Sequence, residues 1–239
     1  MSDLSGVKAL VFDVFGTVVD WRTSLINDFT AWSQRRGITA DWTALVDGWR
    51  AVYSASMNEV RKHPERGYVI LDVLHRRSLE TLVAQLGING LTEADLDYLT
   101  KGWHRLHPWP DSVAGLTRLK TRYIISPLSN GNVALLTNMA KFAGLPWDLV
   151  MSAELFAHYK PDPETYLGAA RLLCLAPSEV MMVAAHNYDL KAAQSHGLRT
   201  AFVARPTEYG PLQKIDFEAT GAWDIIAPDF GGIADRLGC

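Results

Sequence analysis

Val7-Lys8-Ala9-Leu10-Val11-Phe12-Asp13-Val14-Phe15-Gly16-Thr17-Val18-Val19-Asp20 is the stretch on which the fold turns. Residues 7–12 make a short, mostly apolar run of strand length, and it ends on an acid followed by Gly-Thr, a turn signal. Comparable runs recur at residues 123–128, 149–152, 180–184, 200–203 and 224–226. Helix-like segments separate several of them, at residues 111–120, 131–143, 163–173 and 190–196. Short buried strands alternating with helices predict an α/β fold with a Rossmann-like parallel sheet covered on both faces.

The stretch between Asp20 and His107 has a different texture. Helical patterns follow one another near residues 24–36, 41–62, 71–86 and 92–105, with no strand-like run between them. In the second, Trp42, Leu45, Val46, Trp49, Tyr53, Met57 and Val60 recur at helical spacing. Thr92, with Asp95 three residues on, offers an N-cap for the last. His107-Pro108-Trp109-Pro110-Asp111-Ser112 reads as a linker ending in a new helix start. The expected organisation is an α/β core of residues 1–19 and 108–239, with a four-helix cap of residues 20–107 inserted after the first strand.

Composition narrows the function. Of 239 residues 48% are hydrophobic and 21% charged, and the net charge is -3, so neither a nucleic-acid nor a membrane surface is expected. The two cysteines, Cys174 and Cys239, have no CxxC spacing, which argues against a disulfide framework or structural zinc. The segment from Met1 to Lys8 is too polar for a signal peptide, and no apolar run approaches the ~18 residues of a membrane span. A soluble, cytoplasmic protein is the expectation.

Ligands of open parallel sheets bind beyond the carboxyl ends of the strands. Those ends carry Asp13 to Asp20, then Ser129-Asn130-Gly131-Asn132, then His158-Tyr159-Lys160-Pro161-Asp162-Pro163, then Ala184-Ala185-His186-Asn187-Tyr188-Asp189. Each has an ordinary reading: Asp13 as a turn former, Ser129-Asn130-Gly131 as a helix cap, Lys160 as a solvated loop residue, Asp189 as an N-cap. Together they supply an acid, a hydroxyl, a lysine and a second acid, the groups needed to attack an electrophile, hold an anion and direct a water.

In those four segments, in order, the chain resembles the haloacid dehalogenase superfamily, and within it the L-2-haloacid (type II) dehalogenases. Asp13-Val14-Phe15-Gly16-Thr17, Ser129-Asn130, Lys160 and Asp189 match the core motifs, and the cap position and the return through Trp109-Pro110-Asp111 match too. Most of the superfamily are magnesium-dependent phosphatases, with a second Asp two residues after the nucleophile and a further carboxylate in the fourth motif. Here those positions are Phe15 and Ala184, which neither transfer a proton nor ligate a metal. The resemblance therefore implies a hydrolase that needs no metal or cofactor and takes a small haloacid. Asp13 displaces halide from C2, and water then cleaves the aspartyl ester.

By the same resemblance Lys160 orients Asp13, and Asp189 positions or activates the water. Ser129, Asn130 and the backbone of Val14 and Phe15 cradle the substrate carboxylate, while Thr17, Tyr166 and Tyr188 complete the pocket. Arg50 would receive the halide. Its place beside the cap's apolar stripe leaves two readings, a side chain snorkelling to water or a cation held in a buried cavity. The family also implies a homodimer.

Several positions depart from the family's pattern: Phe15, Ala184, Tyr188, Ser54 and above all His186, where Asn is usual. His186 reads as structural, as a hydrogen-bond donor to the halide that would favour fluoride, or as a general base. A phosphatase of unusual metal dependence and a silent small-carboxylate binding module are the competing functions.

Overall fold

The computed structural model describes residues 3–211 and 213–239; Met1 and Ser2, part of the N-terminal reading above, lie outside the described residues. The core is a six-stranded sheet in the order β3-β2-β1-β4-β5-β6. The strands are β1 (Ala9–Phe12), β2 (Ile124–Ser129), β3 (Met151–Ser152), β4 (Val180–Ala184), β5 (Arg199–Val203) and β6 (Ile225–Ala227). Every neighbouring pair is parallel, and β1 is central, with Ala9 beside Ile124 on one side and Val180 on the other. β1 and β4 are buried along their whole length because both faces are covered, which is why they read as unbroken apolar runs.

Helices α5 (Ser112–Lys120), α6 (Val133–Ala143), α7 (Pro163–Leu172), α8 (Asn187–Ser195) and α9 (Phe230–Leu237) cover the sheet, after the cap helices α1 (Trp21–Arg36), α2 (Trp42–Lys62), α3 (Leu71–Gln85) and α4 (Glu93–Thr100). The last core helix, α9, was not expected from the sequence. Asp229 caps it by accepting from the Gly232 N–H at 2.7 Å, and Phe230, Ile233, Ala234 and Leu237 bury its inner face.

In the cap, the expected capping box at Thr92 forms, with the Asp95 carboxylate accepting from the Thr92 N–H at 2.9 Å. The expected single helix over residues 92–105 instead ends at Thr100 and tightens into a 3-10 turn, Lys101–His104. Gly102 sits there against Phe29, where an added Cβ would lie 2.7 Å from the ring, so only a bare backbone lets the turn approach α1. Trp49, His75 and Trp103 fill the centre of the cap, with the His75 ring stacked 4.4 Å from Trp103.

The cap leaves and rejoins the core through adjacent segments. The Asp20 N–H donates to His107 O and the Trp109 N–H to Val18 O, each at 3.0 Å. Across the cleft, Arg61 Nε donates to Asp162 at 2.9 Å and the Tyr159 hydroxyl to Val69 O at 2.6 Å. Among the described residues no helix is long and apolar enough to cross a membrane.

Candidate active site

Asp13 follows the last residue of β1, at the carboxyl edge of the central strand, and its N–H donates to Val183 O at 3.0 Å. Three side chains converge on its carboxylate. Lys160 Nζ lies 3.0 Å from Oδ1, while the Thr17 hydroxyl donates to Oδ2 at 2.8 Å and His186 Nδ1 lies 3.0 Å from the same oxygen. Oδ2 thus has two partners and Oδ1 has one. Burial works to raise this carboxyl, but Lys160, then His186 and Thr17, outweigh it and hold Asp13 well below the usual carboxylate range. A buried carboxylate held in its ionised form is chemically able to act as a nucleophile.

Lys160 bridges two acids. Its ammonium also lies 2.5 Å from Asp189 Oδ2, and its own N–H is fixed by the Asn130 side-chain oxygen at 2.8 Å. Burial would lower the Lys160 ammonium, but Asp13 and then Asp189 raise it above the ordinary lysine value. Asp189 moves the other way from Asp13, because burial and the nearby Asp13 charge raise it against the pull of Lys160. The same pocket thus pushes its two carboxyls in opposite directions.

Two expected pocket residues bond directly to these acids. Thr17 and Tyr166 are completely buried, and their hydroxyls are spent on Asp13 and, at 2.6 Å, on Asp189 Oδ1. These bonds hold the two acids in place. Ser129 is also fully buried and accepts from the Gly131 N–H at 3.2 Å. Val14 and Phe15 follow Asp13 in the same loop, and the Phe15 ring packs edge-on against Tyr53 and Trp103 of the cap.

Arg50 does not snorkel. Its side chain is 10% exposed, and its guanidinium lies over Tyr53 at 4.5 Å and Trp21 at 5.3 Å. Nη2 reaches Tyr209 Oη at 3.4 Å, and buried Nη1 has no hydrogen-bond partner among the described residues. A cavity of about 440 Å³ opens beside it, lined also by Ser54, Tyr188 and Ile215. Tyr188 stands 55% exposed at this mouth and stacks on His186 at 5.7 Å.

The sequence reading missed Glu208. It lies in the loop after β5, nearly solvent-free, with an oxygen 2.9 Å from His186 Nε2 and another accepting from Trp21 Nε1 at 2.9 Å. Arg50 Nη2 is 3.6 Å away. The rule that searched the other strand ends would have led to this loop, since β5 also ends there. With Glu208 in place, His186 has a carboxylate on each ring nitrogen. Burial alone would lower the imidazole, but Glu208 and Asp13 raise it well above its ordinary value, which favours the protonated ring.

Comparison with known proteins agrees with this geometry. A family model described as haloacid dehalogenase-like hydrolase matches residues 7–197. The (S)-2-haloacid dehalogenase of Xanthobacter autotrophicus is 29% identical over 212 residues, 83% of this chain and 76% of that protein. The crystal structure of the L-2-haloacid dehalogenase PA0810 superposes with a TM-score of 0.94 at 52% identity, covering 97% of this chain and 99% of that one. That of the defluorinating L-2-haloacid dehalogenase Rha0230 gives 0.94 at 47%, covering 98% and 96%. With an aspartate at the end of β1, a lysine bridging it to a second acid, and a helical cap inserted between β1 and α5, the chain belongs to the haloacid dehalogenase-like hydrolases, on their L-2-haloacid dehalogenase branch.

Proposed function

We propose that the protein hydrolyses short (S)-2-haloacids and haloacetates to 2-hydroxy acids through an ester on Asp13. The observation that carries this reading is a buried Asp13 carboxylate at the carboxyl edge of the central strand, held by Lys160 at 3.0 Å, while the cap supplies a second buried cation, Arg50. Oδ1, with the single partner, attacks C2 in line. The C–halogen electron pair leaves with the halide, which the unpartnered Arg50 Nη1 receives. Inversion turns an (S)-2-haloacid into an (R)-2-hydroxy acid, and haloacetate gives glycolate.

Oδ2 stays behind as the ester carbonyl, still held by Thr17 and His186. Water adds to Cγ, its proton passes to Asp189, and the negative charge forming on Oδ2 meets donors already in place. Collapse breaks the Cγ–Oδ1 bond; the departing alkoxide takes the proton of the new Asp13 carboxyl and leaves as the hydroxy acid with the oxygen that Asp13 contributed, while Asp189 releases its proton to solvent. Ser129, the Asn130 backbone and the loop at Val14 and Phe15 bind the substrate carboxylate.

Fluoroacetate belongs in the substrate range. The aromatic enclosure strips water from Arg50, and a desolvated cation suits a small, strongly hydrated leaving group. The relationship to a dehalogenase named as defluorinating supports this extension.

The test is halide release with EDTA present, from each enantiomer of 2-chloropropionate, chloroacetate and fluoroacetate, with Asp13→Asn as control. Release confined to the (S) enantiomer and lost in the variant is expected. No release from any of them, with magnesium-stimulated hydrolysis of phosphate esters instead, would overturn the reading.

A further inference from the structure

We propose that Glu208 is a positioning residue for ester hydrolysis: its carboxylate grips the far side of His186, keeping the near side as a donor to Asp13 after Asp13 has been alkylated. The proposal rests on the aspartyl-ester reading above. Its basis is the contact set of a carboxylate buried where three elements meet, with Trp21 from α1, Arg50 from α2 and His186 from the loop before α8. Taking a carboxylate out of water costs several kcal/mol unless its oxygens are satisfied, and here Trp21 and His186 supply hydrogen bonds while the Arg50 charge lies 3.6 Å away.

The reaction changes the charges around His186. Before substrate binds, carboxylates face both ring nitrogens, Asp13 at Nδ1 and Glu208 at Nε2. Alkylation turns Asp13 into a neutral ester, and one of those anions is gone. If Glu208 were uncharged too, a buried imidazole would lose its proton readily, since burial disfavours the cation. A neutral ring donating from Nε2 to Glu208 would present a bare lone pair to the ester carbonyl. Only the imidazolium donates at both ends, so a fixed negative charge at Glu208 keeps the donor on Oδ2 when the oxyanion forms.

The charged and titratable groups around the ring are Asp13 with Lys160 behind it, Glu208 with Arg50 and Tyr209 behind it, and Tyr188 stacked on its face. Of these, only Glu208 is an anion touching His186 that survives alkylation. The fit is close. Gly16, in the nucleophile loop, has no side chain where the Glu208 carboxylate lies, and a Cβ there would stand 2.1 Å from Oε1.

Single-turnover kinetics with chloroacetate separate the steps in the wild type, Glu208→Gln, Glu208→Asp and His186→Asn. Halide release reports ester formation, and intact-protein mass spectrometry reports the ester on Asp13. In Glu208→Gln, ester hydrolysis at pH 8 should slow about 10- to 100-fold, less than the roughly 100- to 1000-fold for removing an oxyanion donor outright, because the His186 ring stays in place. The halide burst should fall less than tenfold, so the ester accumulates. Lowering the pH to 6 should restore part of the hydrolysis rate by reprotonating His186, and Glu208→Asp should recover part of it at pH 8. In the His186→Asn background, Glu208→Gln should add no pH dependence. Nitrogen-15 NMR of labelled histidine should show both His186 nitrogens protonated at pH 8 in the wild type and not in Glu208→Gln.

Equal slowing of both steps with no pH dependence would mean a merely structural Glu208 and overturn the proposal. So would unchanged hydrolysis in a folded Glu208→Gln protein. Absence of a halide burst in the wild type would refute the underlying ester reading instead, and the role of Glu208 with it.

Discussion

Replacing Gly16 by alanine tests the packing of the site in a single methyl group. Gly16 has φ 86°, and an added Cβ would lie 2.1 Å from Glu208 Oε1 and 2.2 Å from its Cδ. The cost divides into separable parts. Holding an L-residue in left-handed backbone costs roughly 1–2 kcal/mol. Forcing a carbon into a filled interior costs about 1–3 kcal/mol more. Gly16→Ala should therefore destabilise the protein by about 2–5 kcal/mol. For a chain of this size each kcal/mol lowers Tm by about 2–4 °C, so a fall of roughly 4–20 °C is expected.

The steric part exists only while the Glu208 side chain is present. In a Glu208→Ala background it should vanish and leave the backbone part alone. Urea denaturation of the wild type, both single variants and the double variant gives the coupling directly, and about 1–3 kcal/mol is expected. Penalties that add to within about 0.5 kcal/mol would show that Gly16 and Glu208 do not meet, and the reasoning would fail.

Other perturbations have equally definite signs. Arg50→Lys keeps the charge but loses the planar face against Tyr53 and Trp21; kcat/KM for chloride release should fall about 10- to 100-fold, and an unchanged value would remove Arg50 from the halide site. Burial depresses His75 to about 3, so the unfolded chain takes up its proton below about pH 6.5 while the folded one does not, and stability falls with acid by up to about 1.4 kcal/mol per pH unit. His75→Phe should flatten the drop in Tm between pH 6.5 and 5; an unaltered slope would contradict the neutral, enclosed ring. His186 has the opposite sign, since its raised folded value contributes stability that is complete below about pH 6.5 and lost as pH climbs through that folded value. Thermal scans into the alkaline range should show a shallower decline in His186→Asn, and an identical decline would refute the imidazolium.

What was legible in the sequence follows from how local each feature is. β4 has the limits its apolar run predicted, and the other strands lie within one or two residues of theirs, because full burial on both faces leaves continuous apolar stretches. Asp13, Lys160 and Asp189 were reachable because the carboxyl ends of parallel strands restrict where chemistry can sit, and the structure brings them within hydrogen-bonding distance. The break at Gly102 could not be read, since its cause is the Phe29 ring, distant in sequence. Thr17 and Tyr166 were recognised as site residues, but their bonds to Asp13 and Asp189 could not be read, because sequence does not show which way a hydroxyl faces. Glu208 is the instructive omission. A lone glutamate in a polar loop carries no pattern, and its meaning arises only when Trp21, Arg50 and His186 close round it.

The joined exits of the cap have a consequence for how such proteins diversify. Asp20 and His107 are hydrogen-bonded to each other, and Val19 pairs antiparallel with Pro108, so the inserted helices begin and end at one point on the core. An insert whose ends already meet adds little closure entropy as it grows, about 0.6 kcal/mol for each doubling of its length. Its size and lining are thus nearly independent of the stability of the sheet beneath. A lineage can exchange what covers Asp13 while the sheet that positions it is kept.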